Sequence, residues 1–470
     1  MRRRLLPAAA VVSVALVAGC AGSPGTPAAS GGAASPTGLS SPTAASSPTA
    51  ASSPTGASSP TDRASAVVGP GTLVPATVTV PSAYRQAPFD VPRQLRLPAG
   101  WSASVFTRIP GARFLAFLGP DLLVSQPSTG SVQLVRRRAD GTAAVTPWLT
   151  GLTSPHDLVP AGSFVYVAES TRVVRYPWTR GAATPGAGQV VVSGLPTGGH
   201  ELKNIAVVAG GLYVSIGSSC NVCASDTTAD PRRAAIYRYA LTGGPGTLVA
   251  TGLRNAEGLA EVPGTGALWA VTNNRDQIAY PRHGDITGDG ADDYGQVVPS
   301  YVDDHPMEPF VHVEAGRFYG WPFCNATQDT AAGNRDMPFE ADAETNADGH
   351  VNCAAAEKID LGIQAHSAPL GLTFLQRTAV PARLRTGAAV ALHGSWNRTQ
   401  RTGYKVVWFD WQGTAGGGRP GTQRDLVTGW VSADGRDVWG RPVDVAADTD
   451  GSLLVSDDQS GTVYRLTPPR

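Results

Sequence analysis

The sequence predicts an all-β protein that folds as a six-bladed β-propeller over residues 67–470. Within these residues a short strand of apolar or aromatic side chains, a polar turn and a second strand ending near an arginine recur six times. Gly and Pro are abundant, and stretches of helical periodicity are few. One such unit alone exposes sheet edges and an apolar face, and radial repetition covers both.

The six units are recognised by their paired strands. They read DLLVSQPSTGSVQLVRR from residue 121, SFVYVAESTRVVRYPW from 163, GLYVSIGSS with AAIYRYAL from 211, ALWAVTNNRDQI from 267, AAVALHGSWNRTQRTGYKVVWF from 388 and SLLVSDDQSGTVYRL from 452. Their irregular spacing predicts loops inserted on one face, above all between residues 277 and 388. A pair of β-sandwiches or a β-helix is the alternative architecture.

The first twenty residues, MRRRLLPAAAVVSVALVAGC, predict a secretory signal. Three arginines precede an apolar stretch that is too short to span a membrane comfortably. Its end, residues 17–20, resembles the lipobox of bacterial lipoproteins, which implies cleavage before Cys20 and lipid attachment to its thiol. An ordinary signal peptide is the alternative. On the lipobox interpretation, the protein is exported and anchored to the outer face of the bacterial cell membrane.

Residues 21–66 predict a disordered linker. They contain a near-repeat of Ser-Ser-Pro-Thr-Ala-Ala with almost no large apolar side chains. Such a segment cannot bury enough surface to offset its chain entropy. We expect it to act as a stalk that holds the folded part away from a membrane or a cell wall.

The cysteines predict disulfides. Four remain if Cys20 carries lipid, and an even number in an exported protein is typical of disulfide bonding. The local pairings are Cys220 with Cys223 and Cys324 with Cys353. A zinc half-site or a redox motif at Cys220 and Cys223 is the weaker alternative, because no second CxxC and no βαβ setting accompany it.

The charge balance excludes one class of partner. The chain carries 37 basic and 37 acidic residues, which gives a formal net charge of zero. Because there is also no basic cluster, nucleic acid is not an expected partner.

Polar residues stand just before a strand in four turns, which we expect at the mouth of the propeller's channel. The turns are GLPTGGHELKN with His200, ATGLRNAEGLAEV with Arg254 and Asn255, HSAPLGLTFL with His366, and DVWGRPVDVAADTDGSLLVS with Arg441. Arginine offers a rigid planar fork that suits a carboxylate. Arginines that meet at the channel mouth would therefore form an anion pocket.

Seven motifs resemble, in the same order, those of the glucose/sorbosone dehydrogenase family of quinoprotein sugar dehydrogenases. They are GLPTGGHELKN, GLYVSIGSSCNVC, TGLRNAEGLA, FYGWPFCN, HSAPLGL, ALHGSWNRTQRTGYKVV and GRPVDVAADTDGSLLVSDDQSGTVYRL. The resemblance covers about residues 90–470. It implies a six-bladed propeller with pyrroloquinoline quinone (PQQ) across the channel mouth and a calcium ion that helps to hold it. It also implies oxidation of an aldose or a sugar aldehyde, with electrons passing to an acceptor that the sequence does not identify.

The resemblance implies roles for single residues. His200 matches the general base that takes a proton while hydride passes to the quinone, a step that suits a neutral imidazole. Arg254 matches the arginine beside the quinone carbonyls, where it would stabilise oxyanion charge. Asn255 matches a neighbouring cofactor contact.

Further cofactor contacts follow from the same resemblance. Arg398 and Arg441 match the region where the family places cationic clamps for the cofactor carboxylates. The register there is loose by a few residues, so Arg401 and Lys405 are alternatives. His366 is a further candidate contact.

Two segments are candidate calcium sites. The backbone around Asn273 and Asn274 matches the segment that supplies main-chain oxygens to the cofactor's calcium. The insertion DITGDGADDYGQ, residues 285–296, resembles the calcium loops of integrin-type propellers. Its oxygen ligands at positions 1, 3, 5 and 9 are Asp285, Thr287, Asp289 and Asp293. Gln296 stands where an EF-hand has Glu, so a solvated acidic turn is the alternative.

One turn departs from the family pattern. Soluble glucose dehydrogenases place an acidic residue near the catalytic histidine, whereas the corresponding turn here, GSSCNVC, offers Ser218 and Ser219. The sorbosone-type members are more similar in this respect. The group that orients His200 is therefore not identified by the sequence.

Two other functions stay open. A calcium-dependent lactonase on the same fold needs a channel metal held by carboxylates and amides from separate blades, and the sequence offers Asn204 and Asn255 without a clear carboxylate. A non-catalytic propeller that binds glycan or protein is the second alternative. Trp321 and Trp396 are either blade-packing residues or stacking walls of a sugar cleft.

Overall fold

The computed structural model describes residues 69–139, 142–413 and 417–469. The predicted signal segment with Cys20 and the predicted linker 21–66 lie outside the described residues and stay predictions. Within the described ranges, no helix has the length and apolar character needed to cross a membrane.

Three strands precede the first blade: β1 (Leu73–Thr77), β2 (Gln94–Pro98) and β3 (Ser102–Arg108). Blade 1 contains β4 (Leu115–Leu118), β5 (Asp121–Gln126), β6 (Ser131–Arg137) and β7 (Ala143–Leu149). Blade 2 contains β8 (Leu158–Ala161), β9 (Phe164–Ala168), β10 (Val173–Pro177) and β11 (Gln189–Val192). Blade 3 contains β12 (Ile205–Val208), β13 (Gly211–Ile216), β14 (Ala235–Ala240) and β15 (Thr247–Thr251).

Blade 4 begins with β16 (Asn255–Glu261) and β17 (Leu268–Asn273), and a long insertion follows. The insertion and the rest of the blade comprise α1 (Pro299–Asp304), β18 (Glu308–His312), β19 (Arg317–Phe318), β20 (Cys324–Ala326), β21 (Arg335–Met337), β22 (Phe339–Ala341) and β23 (Ile359–Ile363). The sheet order of blade 4 is β16-β17-β18-β23-β21, while β19 pairs with β15 of blade 3 and β20 pairs with β22.

Blade 5 contains β24 (Pro369–Phe374), β25 (Gly387–Leu392), β26 (Lys405–Gln412) and β27 (Arg419–Val427). Blade 6 contains β28 (Pro442–Ala447), β29 (Leu453–Asp457) and β30 (Thr462–Thr467). Its fourth strand is β3, which pairs antiparallel with β30. The first part of the domain thus completes the last blade and closes the ring through main-chain hydrogen bonds. Short 3₁₀ turns lie at Ser82–Tyr84, Pro127–Thr129, Ala224–Thr227 and Cys353–Ala355.

The core lies between the blades. In β5, Leu122 and Val124 pack against Leu454 of blade 6, whereas Leu123 packs against Val165 of blade 2. Successive side chains of a strand point to opposite faces, and here a neighbouring blade covers each face. The middle strands are therefore apolar at nearly every position, and this explains why the six units stand out in the sequence. The predicted six-bladed propeller is confirmed.

Both predicted disulfides are confirmed. Cys220 bonds to Cys223 and Cys324 to Cys353, with Cα–Cα distances of 5.5 and 5.6 Å. The first closes a small loop after β13, and the second joins β20 to the 3₁₀ turn at Cys353. The small loop lies next to the cavity that is described below.

Candidate functional site

A cavity of about 240 Å³ lies at the channel mouth, where turns that precede the inner strands of five blades converge. These turns supply Arg113 before β4, His200 before β12, Arg254 before β16, His366 before β24 and Arg441 before β28. The connections after β17 and β25 complete the polar wall with Asn273, Asn274, Asp276, His393 and Asn397, together with Asn255 of β16 and Glu308 of β18. The turn residues predicted from four separate motifs thus meet in one place.

Two glycines bring His200 against the end of β13. Gly199 has a φ of 59°, and a Cβ there would lie 2.2 Å from the carbonyl oxygen of Ser219. A Cβ on Gly217 would lie 2.6 Å from the Cβ of His200. Because neither glycine has a side chain, the backbone N–H of His200 reaches the carbonyl oxygen of Ser218 at 2.9 Å.

Ser218 is the group that orients the His200 ring. Nδ1 of His200 lies 3.1 Å from the Ser218 carbonyl oxygen and 2.9 Å from its Oγ. The hydroxyl proton of Ser218 goes to the Cys220 carbonyl at 2.8 Å, so both oxygens near Nδ1 are acceptors. Nδ1 therefore carries the proton, and Nε2 keeps a lone pair. Nε2 forms no hydrogen bond with any residue in the described ranges.

The surroundings of His200 favour a neutral ring. Burial, together with the positive charges of Arg254 and Arg233, lowers the pKa of His200 to about 4. The nearest acid on this side, Asp226, accepts hydrogen bonds from the N–H of Ser219 at 2.7 Å and from its hydroxyl at 2.6 Å. Asp226 thus holds the serine turn rather than the ring.

Asn221, inside the small disulfide loop, fixes Arg254. Its Oδ1 accepts from Arg254 Nη2 at 3.0 Å and from the N–H of Asp276 at 2.8 Å, and its Nδ2 donates to the Asp276 carbonyl at 2.8 Å. Arg254 Nη2 also lies 3.3 Å from the Asp276 carboxylate. The indole N–H of Trp321 donates to the Asn221 carbonyl at 2.9 Å. Nothing in the sequence linked Asn221 to Arg254, because the contact spans two blades.

Two further guanidinium groups line the cavity. Arg441 donates to the carbonyls of His393 at 3.0 Å and Gly394 at 2.8 Å. Arg113 pairs with Asp458 at 2.8 Å, and its Nε and Nη2 lie 3.2 and 3.0 Å from Nε2 of the buried His156. Arg113 was not among the residues predicted from the sequence, although it stands before an inner strand as they do.

His366 is held by main-chain oxygens. Its Nε2 lies 2.7 Å from the Val302 carbonyl and 3.0 Å from the His305 carbonyl, so Nε2 is the protonated nitrogen. Nδ1 lies 3.8 Å from the Asp276 carboxylate. Burial lowers the pKa of His366.

Oxygen donors gather on the wall of the cavity that blade 4 forms. The Glu308 carboxylate accepts from the N–H of Asn274 at 2.6 Å, and burial, with Asp276 nearby, raises the pKa of Glu308 to about 8. Oδ1 of Asn273 is buried and has no hydrogen-bond partner in the described part of the chain. Within the same residues no group of three or more His, Cys, Asp and Glu is arranged for a metal. A cation here would therefore also need amide or main-chain oxygens, or oxygens of a ligand.

Arg398 lies outside this cavity, in an adjoining groove. Its Nε donates to the Gln400 carbonyl at 3.1 Å, and its Nη1 lies 3.5 Å from Asp304. Arg401 lines the same groove, and Lys405 pairs with Asp425 at 2.8 Å. Arg398 follows Trp396 and Asn397, which line the cavity, in the loop after β25. Its assignment as a cofactor clamp, like that of Arg441, stays a prediction, but of the two only Arg441 lines the cavity.

The acidic insertion folds as a loop in which aspartates accept hydrogen bonds from the loop's own backbone N–H groups. Asp285 accepts the N–H groups of Gly288 at 2.6 Å and Gly290 at 2.7 Å, and Asp293 accepts those of Ile286 at 2.8 Å and Thr287 at 3.0 Å. None of the predicted ligands, Asp285, Thr287, Asp289 and Asp293, lines the cavity. A calcium ion at this loop stays a prediction.

The sequence offered no clear carboxylate at matched positions of separate blades, and the structure corrects this expectation. Carboxylates do lie at the starts of inner strands. They are Asp157, Glu257 and Asp444, all buried. Asp157 bridges to blade 3 by accepting the N–H of Ile205 at 2.9 Å, and Asp444 bridges to blade 1 by accepting that of Leu115 at 2.9 Å. Burial raises the pKa of each aspartate to about 7. Asp157 and Asp444 thus join blades, whereas Glu257 accepts from Nδ2 of Asn255 in the same strand at 2.9 Å, and its Oε2 has no hydrogen-bond partner among the described residues.

Comparison with known proteins agrees with this architecture. The profile of the TrAA12-like family matches residues 95–469, nearly all of the propeller. The chain belongs to the TrAA12-like family. This TrAA12-like chain is 25% identical over 328 residues to a pyrroloquinoline quinone-dependent sugar dehydrogenase of Hypocrea jecorina, over 65% of the chain and 71% of that protein. It is 34% identical over 104 residues to an uncharacterized protein of Borreliella burgdorferi, but the match spans only 22% of the chain and 27% of that protein.

Solved structures show the same fold. The holo PQQ domain of pyranose dehydrogenase from Coprinopsis cinerea superposes with a TM-score of 0.66 at 20% identity. The superposition covers 83% of this chain and 99% of that domain. At this level of identity, the likeness supports the propeller architecture.

Proposed function

We propose that the protein is a PQQ-dependent dehydrogenase that oxidises an aldose or a sugar aldehyde. The observation that carries the proposal is His200, whose Nδ1 is tied to Ser218 while Nε2 is free in a cavity with three arginines. Membership of the TrAA12-like family and the name of the Hypocrea jecorina relative support it.

The donor set of the cavity fits PQQ, an anionic quinone with several carboxylates. Nη1 of Arg441 forms no hydrogen bond with a described residue and is free to bind a carboxylate oxygen, while Arg113 adds positive charge beside its pair with Asp458. Arg254 is fixed beside Asn255, where a quinone carbonyl would be polarised. His366 would contact the cofactor from blade 5, between the blades of Arg254 and Arg441. When bound, PQQ would accept the hydride that leaves the substrate carbon.

The oxygen donors on the blade 4 side of the cavity are suited to calcium. Glu308, Asp276 and the unpartnered Oδ1 of Asn273 are hard oxygen donors of the kind that calcium prefers. Their number alone falls short of the usual six to eight ligands. Main-chain oxygens near Asn274 and the cofactor's own oxygens would complete the set.

His200 would act as the general base. Its Nε2 would take the proton from a sugar hydroxyl or from an aldehyde hydrate. Positive charge then develops on the ring, and the two acceptor oxygens of Ser218 stabilise it through Nδ1–H. Because burial lowers the pKa of His200 to about 4, the ring is neutral above that pH, and its Nε2 keeps the lone pair that a general base needs.

Reconstitution tests this function. The purified protein is titrated with PQQ in the presence and absence of calcium, and dye reduction is assayed with a panel of aldoses. We expect saturable PQQ binding that calcium strengthens, and sugar-dependent dye reduction. Lactone hydrolysis with calcium alone would favour the lactonase alternative, and glycan binding without PQQ uptake would favour a non-catalytic propeller.

We further propose that a lipid on Cys20 anchors the protein to the outer face of the bacterial membrane, with residues 21–66 as the stalk. The motif at residues 17–20 supports this location. The Cys20→Ser variant should leave the membrane fraction and lose incorporation of labelled fatty acid. Unchanged membrane association of that variant would contradict the anchor.

A further inference from the structure

A second concavity adjoins the cavity and shares Trp396 with it. This basic groove, of about 850 Å³, is lined by the loop after β25 and by residues 431–436 of the connection between β27 and β28. Trp396 lines both spaces and is 72% exposed, far more than the other large apolar side chains in the described ranges. An exposed indole between two polar concavities has no packing role to explain it.

Two arginines in the basic groove have little or no neutralising partner. Arg401 donates from Nη1 to the carbonyls of Gly435 and Arg436, both at 3.1 Å, and forms no ion pair with a described carboxylate. Arg436 is 89% exposed at its side chain, and its nearest acid, Asp434, lies at 4.0 Å. An exposed pair at that distance contributes little energy, so the charge of Arg436 is available.

A third guanidinium, that of Arg398, lies deeper in the same groove. It is only 9% exposed at its side chain and pairs loosely with Asp304 at 3.5 Å. Asp434 is the one carboxylate that lines the groove among the described residues. Asp304 offsets the charge of Arg398, and Asp303 accepts the N–H of Thr399 at 2.7 Å. The positive charge that the basic groove offers to a ligand is therefore that of Arg401 and Arg436.

We propose that the basic groove binds an acidic sugar residue, a uronate, that is linked to the sugar reacting in the cavity. The inference rests on the proposed function and narrows its substrate to uronate-bearing oligosaccharides. An exposed indole offers an apolar face on which a sugar ring stacks, and the arginine forks match a carboxylate. Because Trp396 belongs to both spaces, a ligand that stacks on it extends from one into the other. This continuity favours a carbohydrate over an acidic redox protein, which would need a broad exposed surface.

The test uses two pairs of disaccharides that differ in their carboxylates, by one in the first pair and by two in the second. Cellobiose is compared with cellobiouronic acid, and galactobiose with digalacturonic acid. Binding is measured by calorimetry on the protein as purified, with no electron acceptor present, so the readout does not depend on turnover. We expect at least one acidic disaccharide to bind about tenfold more tightly than its neutral partner at low salt, and the difference to shrink as salt screens the charges.

Variants show which residues produce the preference for an acidic disaccharide. Arg401→Gln with Arg436→Gln should reduce the acid-to-neutral affinity ratio to about one, while Arg180→Gln, an exposed arginine of blade 2, should retain the wild-type ratio. Trp396→Ala should weaken both members of a pair, and Trp396→Phe should restore much of the loss. If neither acidic disaccharide is preferred, or if the double variant keeps the preference, the inference is overturned.

The outcomes also separate this inference from the proposed function. Acid-selective binding without PQQ-dependent oxidation would support the basic groove and contradict the dehydrogenase. Oxidation of neutral and acidic pairs with equal KM would support the dehydrogenase and overturn the groove's role. If the double variant slows turnover only with ferricyanide, an anionic acceptor, and not with a cationic dye, the basic groove serves the acceptor, and the uronate proposal is overturned.

Discussion

Asn221→Ala is expected to disconnect Arg254 from the disulfide loop that positions it. The substitution removes the side-chain acceptor of Arg254 Nη2 and both side-chain hydrogen bonds with the Asp276 backbone. The contact of Arg254 Nε with the Asn221 carbonyl, at 3.2 Å, does not depend on the side chain. Arg254 would therefore stay nearby but lose its fixed orientation.

The size of the effect follows from these three bonds. Two neutral hydrogen bonds contribute about 0.5–1.5 kcal/mol each, and one to a charged group about 1.5–3 kcal/mol. Asn221 is only half-buried, so water replaces part of the loss, and we expect the free energy of unfolding to fall by about 2 kcal/mol. A catalytic group that moves by about 1 Å can lose a factor of about 100 in rate, so kcat should fall about 10- to 100-fold.

The assay compares Asn221→Ala with Val222→Ala, which shortens the next side chain of the same disulfide loop. PQQ affinity, kcat and denaturant unfolding are measured for both. We expect weaker PQQ binding and a lower kcat for Asn221→Ala alone. Wild-type PQQ affinity and kcat, with only the unfolding free energy reduced, would refute the positioning role and leave Asn221 as a structural residue.

Four further outcomes follow from the structure. Arg441→Ala should weaken PQQ binding by about tenfold or more, whereas Arg398→Ala should leave it unchanged, and a PQQ titration in which Arg398→Ala has the larger effect would show that the clamp is misplaced. The value of kcat/KM should fall as the pH drops through about 4, where His200 becomes protonated, and a decline that begins near 6.5 would contradict the lowered pKa. Since folding lowers this pKa, the stability that the neutral ring contributes is complete above about pH 6.5 and is lost as the pH falls towards 4, which denaturant unfolding at several pH values measures. Asp444→Ala leaves the buried N–H of Leu115 unpaired between blades 6 and 1 and should lower the free energy of unfolding by about 2–4 kcal/mol, and an unchanged denaturation midpoint would contradict the bridge.

The propeller could be predicted from the sequence because the packing of its strands requires a hydrophobic pattern that repeats from blade to blade. Each middle strand packs between two blades, so runs such as Leu122 to Val124 are apolar at consecutive positions and mark the units in the sequence. The rule that polar residues just before an inner strand lie at the channel mouth also identified His200, Arg254 and Arg441. Applied to PGARFLAFL and to TSPHDLVP, the same rule would have found Arg113 and the buried histidine beside it.

The parts of the site that could not be predicted depend on contacts between distant segments. Ser218 orients His200 because two glycines let separate loops approach each other, and no local pattern encodes that distance. Asn221 reaches Arg254 across a blade boundary. The position of Arg398 outside the cavity could not be predicted, because a loop of several residues separates it from its strand, and tertiary packing decides the direction of such a loop.

The central claim, that His200 is the base of a PQQ-dependent oxidation, is tested most directly by a single-turnover measurement. PQQ-loaded wild type and His200→Ala are mixed rapidly with excess aldose, and reduction of the bound cofactor is followed by absorbance. We predict equal PQQ affinity and a reduction rate about 100- to 10,000-fold lower for His200→Ala, the range that loss of a general base produces. Reduction at the wild-type rate, with PQQ equally bound, would contradict the assignment.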